Sequence, residues 1–283
     1  MALLRPTRDL VFKLYFTRNE RLLCSLIESV LRRPIASARI QNASIDVANL
    51  TDRGLVLDIL VALPDGTRVN VEMQCDKRAN TAERWLYHWA RVFAKGLERG
   101  DDFTDLRPVV CIVLLNKRMR GPFHQHFVLR EEQHGTPFSD ALAIHLVQLP
   151  RSAKPGNEPE PQRLVRWSRF LRARTLAELQ SLAEEDPIMA EAKQALEALS
   201  ADPEVQRLAE AAAARRVFRS EYAKQLEARG EVRGRVATLE AVATALGLTI
   251  TDARRTRWRK MSARQLDALA VYIAEHRAFP EDR

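Results

Sequence analysis

Leu55-Val56-Leu57-Asp58-Ile59-Leu60-Val61-Ala62-Leu63-Pro64-Asp65-Gly66-Thr67-Arg68-Val69-Asn70-Val71-Glu72-Met73-Gln74-Cys75 reads as two strands joined by a tight turn. Both flanks are rich in Val, Leu and Ile, and a Pro-Asp-Gly connection favours a three-residue hairpin loop with Gly66 in the left-handed bulge position. Leu63 then pairs with Thr67. Counting back along the first strand and forward along the second sets Asp58 opposite Glu72, with Gln74 further along the same face. The second strand alternates, Asn70, Glu72 and Gln74 on one side and Val69, Val71, Met73 and Cys75 on the other. The first is almost unbroken apolar sequence apart from Asp58, the pattern of a central strand buried on both faces.

A lone aspartate in such a strand is costly, and two carboxylates facing each other across a hairpin repel. They share a proton or recruit a cation. A buried ion pair between Asp58 and an arginine, with Glu72 facing solvent, is the competing solution. If a cation is recruited, Asp58 and Glu72 offer hard oxygen ligands to Mg2+, with Mn2+ as an alternative, and the backbone carbonyl of Met73 lies along the sheet between them and Gln74. The Gln74 amide can orient a water but carries no charge.

More of the chain fits one family. Asp58 followed by Val71-Glu72-Met73-Gln74 resembles the PD-(D/E)xK nuclease core in the variant whose final lysine is glutamine. Thr7-Arg8-Asp9-Leu10-Val11-Phe12-Lys13 is similar to the Thr-x-Asp-x-x-Phe-Lys opening of the recombination-promoting nuclease (Rpn) and transposase family. Arg84-Trp85-Leu86-Tyr87, Gly100-Asp101-Asp102-Phe103 and the strand Pro108 to Leu115 resemble that family's next blocks. The resemblance covers roughly residues 5–150, with a weaker echo at Glu227 to Gly234. It implies a three-layer α/β fold with a mixed central sheet, followed here by an α-helical C-terminal region. It also implies a Mg2+-dependent DNA endonuclease acting in recombination, on transposon-like DNA or in phage defence. Asp58, Glu72 and Gln74 would be its core, with Asp9 and Lys13 carried over from the opening motif. Lys13, Lys77 and Arg84 compete for the cationic role that the missing lysine leaves. Arg84, on the helix after the hairpin, would clamp a phosphate or pair with a carboxylate, and Asp9 equally suits a helix N-terminal charge.

Net charge is +8, and two segments hold it. Residues 215–235 carry seven Lys/Arg against three Glu, and residues 251–264 carry six against one Asp, so the remainder is close to neutral. Arg254, Arg255, Arg257, Arg259 and Lys260, beside Trp258, would give a C-terminal helical module a basic face suited to DNA phosphates, while a packing or dimerisation appendage fits equally. Cys24, Cys75 and Cys111 are too scattered for a disulfide framework or a zinc cluster and read as small core residues. No signal-peptide or membrane-spanning run is present, so a cytoplasmic protein with no membrane partner is expected. Phosphate-binding glycine loops, Gly-x-Ser-x-Gly and Cys-x-x-Cys are absent. His124 and His126 alternate on one strand face without an acidic or cysteine partner, the pattern of a strand surface.

Periodicity predicts a helical region over residues 9–32, a strand over 37–50, a helix over 80–99 closed by Gly100, and strands at Val109–Leu115, Phe123–Arg130 and Ala141–Leu149. The Pro-rich segment from Pro150 to Pro161 suggests a nuclease-like domain over 1–150, a linker at 151–162 and a helical region over 163–283. Asp186-Pro187 and Asp202-Pro203 read as helix starts. Phe218, Tyr222 and Leu226 form a stripe that would pack on the nuclease domain or on another subunit in a homo-oligomer. Two further readings stand beside the nuclease: a catalytically weak DNA-binding or regulatory protein, and an oligomeric scaffold.

Overall fold

The computed structural model describes residues 3–41, 59–74, 82–97, 99–152 and 162–280. Six strands, β1 (Arg39–Ile40), β2 (Ile59–Ala62), β3 (Arg68–Gln74), β4 (Val109–Leu115), β5 (His124–Arg130) and β6 (Pro137–Gln148), form one sheet in the order β1-β2-β3-β4-β6-β5. The β1/β2, β2/β3 and β5/β6 pairs are antiparallel, and β3/β4 and β4/β6 are parallel.

The hairpin closes as its sequence dictates. Gly66 has φ +85°, Leu63 N–H donates to Thr67 O at 2.9 Å, and Gly66 N–H donates to Leu63 O at 3.0 Å. Pairing then runs Ala62↔Arg68, Val61↔Val69, Leu60↔Asn70 and Ile59↔Val71. The next pair in the count, Asp58↔Glu72, falls outside the described residues. β2 departs from its expected burial: Ile59 and Val61 are fully buried, but Leu60 and Ala62 only half so. β4 is the strand buried along its whole length.

The two sheet faces carry separate apolar clusters. Val69, Val71 and Met73 of β3, with Ile112 and Leu114 of β4, pack with helices α1 (Asp9–Thr17) and α2 (Glu20–Leu31). On the other face, Val109, Cys111, Val113 and Leu115, with Ile144 and Leu146 of β6, pack beneath Trp85 of α3 (Ala82–Ala94). Helices, sheet and helix make the three layers that the family resemblance implied.

The helices beyond the proline-rich segment join the first of these clusters. α4 (Gln162–Arg172), α5 (Leu176–Glu185) and α6 (Pro187–Ala201) contribute Leu164, Trp167, Phe170, Leu182, Met189 and Leu196 to it. Trp167 Nε1 donates to Ser25 Oγ at 3.2 Å, and the Tyr15 hydroxyl donates to Ala192 O at 2.8 Å. Residues 1–209 and 210–283 form two compact units, so α4, α5 and α6 group with the sheet. The reason is the apolar stripe of α4, which is covered by α1 and α2. Asp186 and Asp202 start helices as expected, accepting from Ile188 N–H at 2.9 Å and Glu204 N–H at 3.0 Å.

The second unit takes the C-terminal part of α7 (Pro203–Ala245), α8 (Asp252–Trp258) and α9 (Ala263–His276). Val236, Leu239, Trp258, Leu266, Ile273 and Phe279 are its core. Thr251 caps α8 and Ser262 caps α9 with a Gln265 capping box. Phe218, Tyr222 and Leu226 are exposed on α7. No described helix is long and apolar enough to cross a membrane.

Candidate active site beneath helix α3

The alternation of β3 sends Asn70, Glu72 and Gln74 to the face covered by α3, and each is 4% exposed. Their parallel neighbours on β4 are Cys111, Val113 and Leu115, so the sheet itself offers Glu72 no polar side chain on that side. A carboxylate so placed needs a cation or strong donors. Helix α3 brings them. Arg84 Nη2 donates to Glu72 Oε1 at 3.0 Å, and His88 Nδ1 lies 3.6 Å from Glu72 Oε2. Arg84 and His88 are one helical turn apart, so both project from the same side of α3. Glu72 does not face solvent as the competing ion-pair solution had it, because α3 closes over it. Arg84 takes the carboxylate-pairing role foreseen for it.

Backbone directions define a further donor. Gln74 O accepts from Asn116 N–H at 3.0 Å, on the β4 side, and Arg68 N–H donates to Pro108 O on that same side. Thr67 O accepts from Leu63 on the β2 side. Alternation then turns the Met73 carbonyl toward the β2 edge, where the described pairing ends at Ile59↔Val71. The carbonyl thus faces the side on which the hairpin count puts Asp58.

The remaining predicted residues are distributed differently. Asp58 and Lys77 lie outside the described residues. Asp9 is exposed in the first turn of α1, where a carboxylate complements the helix N-terminus. Lys13 is 4% exposed on the same helix, whose apolar side belongs to the cluster on the opposite sheet face. In the second unit, Arg254 stacks over the Phe279 ring at 4.1 Å and donates to Thr249 O at 3.1 Å. Arg255 pairs with Glu240 at 3.1 Å and Asp252 at 2.8 Å. Those two guanidinium groups hold the module together, whereas Arg257, Arg259 and Lys260 are exposed.

Two functional-looking residues escaped the sequence reading. His88 carries a signal in its spacing from Arg84, four residues along one helix. His145 is the other: His124 Nε2 lies 2.9 Å from His145 Nδ1, and the His126 ring stacks on His145 at 4.1 Å. His124 and His126 are thus part of a histidine cluster and not simply a strand surface. Burial pushes the His145 imidazole down to about 3 and His124 down to about 4, with the neighbouring histidines and Arg32 adding to the effect. Among the described residues, no group of three or more His, Cys, Asp or Glu is arranged to hold a metal ion.

A family model for PD-(D/E)XK nuclease family transposases matches residues 6–223. The chain belongs to this family. The match to the PD-(D/E)XK family runs beyond the sheet, through α4, α5 and α6 and into α7, in keeping with the packing of those helices on α1 and α2. Searches of curated proteins and of solved structures found no match. Membership supports a nuclease-type hydrolase with DNA as substrate, in a family whose enzymes typically use divalent metals.

Proposed function

We propose that this PD-(D/E)XK family member is a Mg2+-dependent, Mn2+-tolerant DNA endonuclease of the Rpn type, working in the cytoplasm in recombination, on transposon-like DNA or in phage defence. The observation that carries the reading is Glu72, a carboxylate 4% exposed at the end of β3 and faced by Arg84, in a chain of a nuclease family. The donor set suits a hard cation: a carboxylate from Glu72, a second from Asp58 by the hairpin count, and the Met73 carbonyl on the β2 side. A divalent ion bound there would supply Lewis-acid stabilisation of the phosphate charge and a more acidic water.

The side chains do the rest. Gln74 orients the attacking water through its amide. The water oxygen attacks phosphorus as one of its protons passes to solvent, the bond to the leaving oxygen breaks, and that oxygen takes up a proton from solvent. Arg84, with 38% of its side chain exposed, turns from Glu72 to the substrate phosphate and offsets its charge. Trp85 and the apolar β4 strip keep bulk water from the other side of Glu72. Asp9 and Lys13 act from α1 as supporting charges. The exposed Arg257, Arg259 and Lys260 contact DNA phosphates, and the exposed α7 stripe pairs with a second subunit.

The Arg84–Glu72 pair and the uncharged Gln74 also favour a second reading, a DNA-binding protein that keeps the nuclease fold but cleaves poorly. Plasmid nicking separates the two. Wild type should nick with Mg2+ and stop with EDTA. Plasmid that stays intact with either Mg2+ or Mn2+, yet shifts on a gel, would leave the DNA-binding reading standing alone. Removing residues 210–283 should weaken DNA affinity and flatten its salt dependence; unchanged affinity in low salt excludes the phosphate role of the C-terminal helices.

A further inference from the structure

We infer that His88 is a nitrogen ligand of the same divalent ion as Glu72. The inference rests on the metal-nuclease reading above. The two oxygens of Glu72 are turned to different partners, Oε1 to Arg84 at 3.0 Å and Oε2 to His88 Nδ1 at 3.6 Å. Two donor atoms each about 2.1 Å from one ion lie about 3.0 Å apart at an octahedral angle and about 3.4 Å apart at a tetrahedral one. The observed 3.6 Å lies about 0.2 Å beyond the tetrahedral separation and about 0.6 Å beyond the octahedral one.

Burial divides the roles of the two α3 residues. Arg84 keeps 38% of its side chain in solvent, whereas His88 keeps 13% and Glu72 6%. The guanidinium can therefore swing outward to an incoming phosphate, while the imidazole stays beside the carboxylate. Its Nδ1 is the atom presented, and a ring protonated on Nε2 presents a lone pair there. Mn2+ takes oxygen ligands as Mg2+ does, and as a first-row transition ion it also accepts an imidazole nitrogen.

The test uses the full chain loaded with Mn2+ and reads electron spin-echo modulation, which detects a directly bound nitrogen independently of cleavage. Wild type should show a single imidazole nitrogen coupling. His88→Gln should abolish it and weaken Mn2+ binding by about tenfold or more, with a smaller change for Mg2+ by calorimetry. Bound Mn2+ without nitrogen modulation in the wild type overturns the inference and needs no variant to fold; so does a coupling that survives in His88→Gln. If Mn2+ binding is lost in Glu72→Ala while the wild type shows no nitrogen coupling, the metal reading stands and only the role of His88 fails. No Mn2+ bound by the wild type at all overturns both.

Discussion

Replacing Arg84 by methionine should destabilise the metal-free protein in a way that a divalent ion reverses. The guanidinium is one cation that compensates Glu72, whose side chain is 6% exposed. Breaking a fully buried pair costs about 3–5 kcal/mol, and an exposed pair is worth about 0–1 kcal/mol. With Arg84 38% exposed, the pair lies between these limits, close to a charge-assisted hydrogen bond of about 2 kcal/mol. Unit 1–209 is of a size at which 1 kcal/mol moves the midpoint by about 2–4 °C, so a drop of about 4–8 °C is expected in EDTA. Removing both charges, as Arg84→Met with Glu72→Gln, should recover most of the loss, since no buried charge is then left uncompensated. An ion at about a hundred times its dissociation constant adds about 2.7 kcal/mol. Arg84→Met should gain at least that, because the ion replaces the missing guanidinium. Calorimetric melts of the four proteins, with EDTA and with Mn2+, read this directly. A single variant that melts with wild type in EDTA, or a double variant as weak as the sum of the singles, refutes the reasoning.

Other expectations concern regions away from Glu72. The folded pKa of His145, about 3, lies below its ordinary 6.5, so the unfolded chain takes up the proton first. Stability is then full above pH 6.5 and falls as pH drops toward 3, by roughly 2 kcal/mol at pH 5 from this group alone; pH-dependent melts should flatten in His145→Gln, and an identical slope in both proteins argues against it. Fragment 1–152 should fail to fold cooperatively and fragment 1–209 should fold, since Trp167 and Leu196 belong to the core under the sheet; circular dichroism melts decide. Gly66→Ala should cost about 1–2 kcal/mol, because Gly66 has φ +85° and an added Cβ would sit 3.1 Å from Arg107 Cδ; a denaturant midpoint equal to wild type contradicts the turn geometry.

The hairpin was readable because two local rules fix it. Period-two alternation assigns the faces of Glu72 and Gln74, and the Pro-Asp-Gly turn sets Leu63 against Thr67, from which the observed pairing to Ile59↔Val71 follows by counting. Helix starts at Asp186 and Asp202 were readable for the same reason, since a cap bonds only two or three residues ahead. What escaped depends on contacts distant in sequence. The proline-rich segment marks a change in composition, but nothing local announces that Trp167 reaches Ser25. His145 meets His126 through the register of β5 on β6, and His88 meets Glu72 through the packing of α3 on β3. The half-buried Leu60 and Ala62 make the same point, because an apolar strand reads as central wherever its cover ends.

The account turns on one ion shared by Asp58 and Glu72, and anomalous diffraction from a crystal soaked in Mn2+ measures that most directly. It predicts one peak within about 2.3 Å of a carboxylate oxygen from each residue, beside the Met73 carbonyl, with Arg84 withdrawn. The absence of a peak, with Arg84 still on Glu72 and a second arginine on Asp58, would contradict it.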